Sequence, residues 1–409
     1  MTPFPLALPE LIGKLGEFLV YLAIGFGFGF ALEISGFASS RKLAAQFYFK
    51  DLTVLKVMFT AIVVAMVMVF AASAIGLLDY NLIWVNPTYL WPGIVGGLIM
   101  GVGFIIGGFC PGTSLVAVAT AKLDGIFFTL GGLFGIFLFG ETVGLFDIFW
   151  NSSYMGRFTI QEWLDLPAGV VVLLVVLMAL FMFWGAEQLE RIFGGKDPRQ
   201  APKARYAGAS GLVVLALGLV VIGQPGNAER WERLAPEKEL LLNSRAVQIH
   251  PGELAASMHD HKIKLVMLDV RSEADYNLFH ISDARRVDLD RLPALSQELQ
   301  LEPGNTVFVL MSNDELAATR AWKMLTAESV QNLYILEGGL NYWLALFADG
   351  DERIIPTRTP VVDELRFDFN AALGSAYPAA QPEPGEHKLE FVPKIELKNK
   401  KGGGGGGCG

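Results

Sequence analysis

Six long apolar runs fill the first half of the chain: Leu11–Ile34, Val57–Leu78, Leu90–Ile106, Gly125–Phe149, Ala168–Trp184 and Ala207–Gly223. A helix needs about 20 mostly apolar residues to cross a bilayer. A buried core helix imitates one such run, but six in succession specify a polytopic α-helical membrane domain. The last run is short, yet it carries no charge. Past Gly223 the pattern changes to short apolar stretches alternating with amphipathic ones. KLVMLDVRS (Lys264–Ser272), NTVFVLM (Asn305–Met311) and NLYILEGG (Asn332–Gly339) read as strands. ELAATRAWKMLTAE and LNYWLALF read as helices. Short parallel strands with intervening helices mean an α/β fold. The expected layout is therefore a membrane domain over 1–224, a linker over 225–246, an α/β domain over 247–350 and a flexible tail over 351–409. Within the tail, Ala371–Lys401 is rich in Pro, Ala, Glu and Lys and lacks core periodicity, which predicts a linker.

Composition sharpens this division. The 409 residues are 52% hydrophobic and only 18% charged, and the charges concentrate in the second half. Roughly 100–200 residues per domain makes two or three units. A net charge of −9 argues against nucleic acid as a partner. The two cysteines, Cys110 and Cys408, lie far apart, so no disulfide framework is implied. The first residues, MTPFPLALPELIGKLGEF, lack a basic region, a short apolar core and a cleavage site, and are expected to be retained.

Basic residues set the expected orientation. Arg41, Lys42, Lys50 and Lys56 fall between the first two runs, and Lys122 precedes the fourth. Arg191, Lys196, Arg199, Lys203 and Arg205 fall between the fifth and sixth. The alternate connections, Asp79–Tyr89 and Trp150–Pro167, hold only Arg157. With basic loops inside, both ends of the membrane domain face outward and the C-terminal domain is periplasmic.

GFGFALEISGFASSRKLAAQFYFKD (Gly27–Asp51) is similar to GVGFIIGGFCPGTSLVAVATAKLDG (Gly101–Gly125). Each places G-x-G-F before a G-F pair, then a Leu-rich segment, then a lysine near its end. Duplicated membrane units with interrupted helices commonly meet around a central substrate site. In the second copy, Pro111 suits the first turn of a helix. Gly107, Gly108 and Gly112 permit turns that other residues resist. A break near Phe109–Cys110 followed by a short helix from about Pro111 to Ala121 is predicted. Free N–H groups and the positive dipole end of that helix would favour an anion beside Cys110. Broken backbone at membrane depth is tolerated where it is buried or lines a cavity. Thr113 and Ser114 would add hydroxyl donors, and the Cys110 thiol is a soft, polarizable contact for sulfur. The competing reading is a small cysteine filling a helix-packing gap.

The G-F-C-P-G-T motif, the segment SGFASSRKLAAQFYFKDLTVLKVMFTAI and the repeat resemble the YeeE/YedE family of bacterial thiosulfate transporters. The likeness is strongest over Tyr21–Thr142. It implies passage of thiosulfate, or a related small sulfur oxyanion, through a narrow path contacted by cysteines at the ends of short helices. Cys110 matches the motif cysteine. The equivalent point of the first repeat is Ala38, after Gly36 and Phe37. Fewer spans than in full-length members imply a path completed by a second copy or a partner half-transporter. The residues carried over as the path are Gly36, Phe37, Arg41, Lys42, Gly108, Cys110, Pro111, Gly112, Thr113, Ser114 and Lys122. The bacterial inner membrane is the implied location. Glu33 and Glu141 are ionisable groups inside runs, which are costly and often functional. They either pair with Arg41 or Lys42, couple protons to the anion, or serve as structural carboxylates.

In the second half, the order D-V-R-S, H-I-S-D-A and L-E-G-G-x-x-x-W resembles the rhodanese domain. Asp269, Val270, Arg271, His280, Ile281, Ala284, Glu337, Gly338, Gly339 and Trp343 carry the likeness. Active rhodaneses use a low-pKa cysteine in the loop after the central strand. Here that position is Ser312, give or take one, and the loop reads Ser312, Asn313, Asp314, Glu315, with the family's loop arginine falling near Ala317. A hydroxyl does not become a persulfide carrier, and Asp314 and Glu315 are expected to bring negative charge where an anion would sit. The domain is accordingly expected to be a non-catalytic binding or docking module. His259 and His261 form an H-x-H without a third ligand and read as surface histidines; no metal and no cofactor is expected. Cys408, on its glycine tether, is either a mobile sulfur carrier, an inert tail or an added conjugation handle. Transport is the leading expectation. Two alternatives are a membrane-anchored sulfurtransferase using Cys408, and a scaffold whose spans only anchor the soluble domain.

Overall fold

The computed structural model describes residues 4–6, 8–195, 203–348, 353–357, 361–383, 387 and 389–397. Lys196 and Arg199 of the orientation argument, and Cys408 with its glycine tether, lie outside the described residues. The chain forms two compact units that divide between Gln224 and Pro225.

The first unit is helical. Its elements are α1 (Leu8–Ile34), α2 (Ser40–Ala44), α3 (Thr53–Ala74), α4 (Leu90–Gly107), α5 (Pro111–Ala119), α6 (Leu123–Thr142), α7 (Asp147–Trp150), α8 (Ile160–Leu164), α9 (Ala168–Phe193) and α10 (Ala204–Ile222). Among the described residues, six segments are long and apolar enough to cross a membrane: Leu11–Ile34, Thr53–Ala74, Leu90–Ala119, Leu123–Trp150, Ala168–Phe193 and Ala204–Ile222. The third of these is α4 and α5 in succession, interrupted at Gly108–Cys110.

Two packing centres hold this unit. In one, α3, α9 and α10 bury Val63, Val67, Val172, Val176, Ala179, Ala216 and Leu219. Gly169 lets α9 approach α10 so closely that a Cβ there would lie 2.4 Å from the Leu219 carbonyl oxygen. Small residues allow such backbone contact between membrane helices. The second centre contains Phe37, Leu43, Val54, Phe109 and Ala117. By contrast, no residue in the apolar windows of α1 and α6 is buried within the chain.

The second unit begins with α11 (Asn227–Asn243) and continues β1 (Gln248–Ile249), α12 (Pro251–Ser257), β2 (Lys264–Asp269), α13 (Glu273–Leu278), β3 (Arg285–Arg286), α14 (Leu292–Leu301), β4 (Thr306–Met311), α15 (Leu316–Ala327), β5 (Leu333–Leu336) and α16 (Gly339–Phe347). The five strands form one parallel sheet in the order β1-β5-β4-β2-β3. Parallel sheets are covered on both faces, and side chains alternate accordingly. Met267, Val307, Val309, Met311, Tyr334 and Leu336 enter one core with Leu254, Trp343 and Phe347. Leu268, Phe308, Leu310, Leu333 and Ile335 enter the other with Leu292, Ala321, Trp322 and Leu325. Each fully buried large aliphatic side chain contributes about 1.5–3 kcal/mol.

The stretch read as a polar linker is packed against this domain. A two-stranded antiparallel pair, β6 (Ile354–Pro356) and β7 (Phe367–Phe369), follows α16. Tyr377, Ala379 and Ala380 are buried in the first core, and Trp343 Nε1 donates to the Ala379 carbonyl at 2.7 Å. Farther on, Glu253 Oε1 accepts from the Lys394 and Ile395 N–H groups at 2.7 and 2.8 Å. Over the described residues of Ala371–Lys401 the chain is packed where a flexible linker is expected, for a physical reason. These residues are held by hydrogen bonds to their backbone and by the buried Tyr377, Ala379 and Ala380, neither of which produces a periodic pattern.

Candidate functional site

The interruption between α4 and α5 is built by three residues. Gly108 ends α4 in the left-handed region at φ 72°, where its N–H donates to the Phe104 carbonyl at 2.8 Å. A side chain there is strained, and a Cβ would also sit 3.1 Å from Ser40 Cβ. Phe109 turns inward and is fully buried. Cys110 then takes an extended backbone as the N-cap of α5, with Pro111 at the first helical position. The predicted break and short helix agree with this geometry to within two residues at the C-terminal end.

Cys110 is a half-buried free thiol. The Thr113 N–H donates to its Sγ at 3.4 Å, and its own N–H donates to Thr113 Oγ1 at 3.0 Å, a reciprocal capping box. The sulfur thus occupies the place usually filled by a serine or aspartate oxygen. It sits where the free N–H groups and helix dipole favour negative charge. The neighbouring hydroxyls differ from expectation. Thr113 Oγ1 lies 3.2 Å from the Cys110 carbonyl and Ser114 Oγ donates to the Pro111 carbonyl at 2.8 Å; both residues are buried. They brace the break and are not free donors, because a hydroxyl in the first turn of a helix is satisfied locally before it can reach outward.

The first repeat forms the matching break. Gly36 has φ 76°, Phe37 and Ala38 are fully buried, and α2 starts at Ser40. Phe37 and Phe109 share one apolar centre, so the two breaks meet. Ser40 Oγ donates to Asp124 Oδ2 at 2.6 Å, tying α2 to α6 across 84 residues. Lys42 Nζ donates to the Ser35 carbonyl at 2.6 Å and so closes the end of α1. Arg41 is exposed, Gly112 is half-buried beside Pro111, and Lys122 stands at the N-cap position of α6 without a side-chain capping bond while its N–H closes α5 on Ala117. Glu33 and Glu141 are exposed on the surface of this unit.

Sequence reading missed Glu190. It is buried near the end of α9, pairs with Lys56 Nζ, and accepts the Leu52 N–H at 2.6 Å at the start of α3. Its only sequence signal is a glutamate close behind an apolar run.

In the second unit, the loop between β4 and α15 holds the residues flagged as a degenerate rhodanese loop. Ser312 is buried, and its Oγ accepts the Ala318 N–H at 3.2 Å. Asn313 is buried between Arg271, Asp275 and the Asp363 carbonyl. Arg271 itself is locked by Asp269, whose Oδ2 accepts Nη2 at 2.7 Å, with both side chains inaccessible. The carboxylates of Asp314 and Glu315 do not fill the loop as expected. Asp314 accepts from Asn341 Nδ2 and Arg366 Nη2, and Glu315 accepts from Arg245 and the Gly338 N–H. That Glu315 bond holds the Arg245 guanidinium above its ordinary pKa. The loop is filled by Asp363, a residue that sequence reading did not single out: its Oδ1 and Oδ2 accept from the N–H groups of Asp314 and Ala317, both at 2.8 Å.

His259 is half-buried against the Ala255 carbonyl, and His261 is exposed. Among the described residues no group of three metal-ligating side chains comes together.

The fold thus presents two sites, a broken repeat among apolar helices and a loop on a five-stranded parallel sheet. Residues 35–226 match the model of the Sulphur transport family, and residues 250–346 match the Rhodanese-like domain. The chain is thus similar to the Sulphur transport family in its first unit and to the Rhodanese-like domain in its second. It is 24% identical over 216 residues to the thiosulfate transporter TsuA of Spirochaeta thermophila. The aligned region is 48% of this chain and spans 61% of that relative's length. No solved structure gives a significant match.

Proposed function

We propose that this protein takes up thiosulfate, or a closely related small sulfur oxyanion, across a bacterial inner membrane, by a path that passes Cys110. The observation that carries the reading is the geometry of the break. A half-accessible thiol caps a helix start inside an apolar span, beside a second break of the same design. A scaffold that only anchors a soluble domain needs no such interruption. The soft sulfur and the positive helix end suit an anion whose own terminus is sulfur. The Sulphur transport match and the likeness to a thiosulfate transporter support the same substrate class.

Two further parts belong to this reading. The unburied windows of α1 and α6 are where a second copy or a partner half-transporter would complete the path. The rhodanese-like domain, periplasmic by the distribution of basic residues, acts as a non-catalytic accessory. Its loop from Ser312 to Ala317 holds no thiol, and persulfide transfer requires one.

Growth tests the proposal. A host lacking thiosulfate transport, supplied with thiosulfate as sole sulfur source, should grow with the parent protein and fail with Cys110→Ala expressed at equal level. Growth with both removes the thiol from the path, and growth with neither removes thiosulfate as the substrate.

A further inference from the structure

One face of α6 grips both breaks of the membrane unit. Asp124 and Phe128 stand four residues apart on this helix, so their side chains leave it on the same side. Ser40, the first residue of α2 behind the first break, donates through Oγ to Asp124 Oδ2 at 2.6 Å. Phe128 meets Phe109 of the second break edge to face, with ring centroids 5.7 Å apart. Its ring also fills the space beside Gly107, where a Cβ would lie 2.3 Å from it. Between these two grips, Gly125 lets α6 rest on α5, since a Cβ there would come within 2.4 Å of Ala117 Cβ.

These contacts all fall in the first two turns of a twenty-residue helix. Gly125 is the residue of α6 that the chain buries, and the apolar window of the helix is unburied. Ser40 bears on the second break as well. Its Cβ and carbonyl oxygen stand 3.1 and 3.2 Å from where a Cβ on Gly108 would be, two residues before Cys110. The Ser40–Asp124 bond therefore joins the two repeats beside the turn that carries the thiol. The apolar contacts at Ala117 and Phe128 are non-directional and tolerate sliding. A short bond from a hydroxyl to a carboxylate is directional and charge-assisted, and it breaks when α6 moves.

We propose that the Ser40–Asp124 bond is a clasp that holds α6 closed against the Cys110 turn, and that its release opens the thiol to a passing anion. Ser40 and Asp124 are positioning residues, because they act on Cys110 through Gly108, Phe109 and the foot of α6. The inference deepens the transport reading, on which the passing anion rests. Access to the thiol is measurable without any ion being carried, so the clasp and the transport reading fail separately.

The rate at which Cys110 is modified tests it, on the full chain in lipid nanodiscs. The probe is the anionic thiol reagent sulfonatoethyl methanethiosulfonate, and mass spectrometry reads the peptide carrying Cys110 apart from that carrying Cys408. Ser40→Ala and Asp124→Ala should each raise the rate about tenfold, the shift in an opening equilibrium expected for one lost charge-assisted bond. The double variant should be no faster than either single one, because both substitutions remove the same bond. A parent rate in either single variant overturns the proposal. So does a double variant about a hundredfold faster than the parent, since independent effects multiply. If Asp124→Ala does not fold, Asp124→Asn, which keeps the side chain's shape and a weaker acceptor, takes its place: it should still exceed the parent rate, and the same two results overturn the clasp.

Discussion

The two units each begin a helix shortly after a buried apolar residue, and they finish that start in opposite ways. At α5, the turn at Gly108 and the buried Phe109 present a half-accessible thiol to the helix end. At α15, the turn after Met311 leads into a loop whose N–H groups are closed by a carboxylate from the same chain. A helix start is a general anion site. Whether it serves an external ion depends on what the rest of the chain lays over it. The membrane unit leaves its start capped by local bonds, the one to sulfur being long; the second unit covers its own with charge-assisted ones from a distant residue.

The largest effect is expected where the closed end is tightest. A Cβ on Gly339 would lie 1.9 Å from the Asp314 carbonyl oxygen and 2.5 Å from those of Asn313 and Ser312, at a φ of 62°. Gly339→Ala should therefore destabilise the soluble domain by about 3–5 kcal/mol. Thermal unfolding followed by tryptophan fluorescence should show early loss of the rhodanese-like domain. If its midpoint is unmoved, the loop is not as rigid as the comparison requires.

A smaller loss follows at the open end. Gly108→Ala introduces a Cβ at φ 72° beside Ser40 and should cost about 1–2 kcal/mol. The thermal midpoint of the detergent-solubilised protein should fall modestly, with the fold kept. An unaltered midpoint would mean that the break is looser than the buried Phe37–Phe109 centre implies.

The smallest effect is a pH dependence confined to the soluble unit. His250 caps α12: its Nδ1 accepts the Gly252 N–H at 3.0 Å, and its ring stacks on Phe391. Burial lowers its pKa below the ordinary 6.5, while Glu337 opposes the shift. The unfolded chain therefore binds the proton more readily than the folded one. The cap's contribution is present above about pH 6.5 and declines as the pH falls below it. His250→Asn keeps an N-cap acceptor without a titrating group. Its unfolding midpoint should lose that part of the acid dependence, and identical pH profiles would contradict the role.

Much of the membrane break was readable because its signals are local. Gly108, Pro111 and the repeated G-F pair sit within a few residues of the turn they make. The sheet was readable for the same reason, since β2 and β4 are short apolar runs. What escaped reading depends on distant contacts. Asp363 meets the loop across 46 residues, Glu190 meets Lys56 across 134, and Ser40 meets Asp124 across 84. No spacing rule links such pairs. The hydroxyls of Thr113 and Ser114 misled for the opposite reason, because residue type alone does not say that a first-turn hydroxyl is already bonded to its own helix.

Uptake of radiolabelled thiosulfate into proteoliposomes bears most directly on the open helix start. Parent and Cys110→Ala proteins, reconstituted at equal density, should differ by about tenfold or more in initial rate, as expected when one contact to a charged group is lost. Equal rates would contradict the account, because the thiol at the head of α5 would then play no part in the ion's passage.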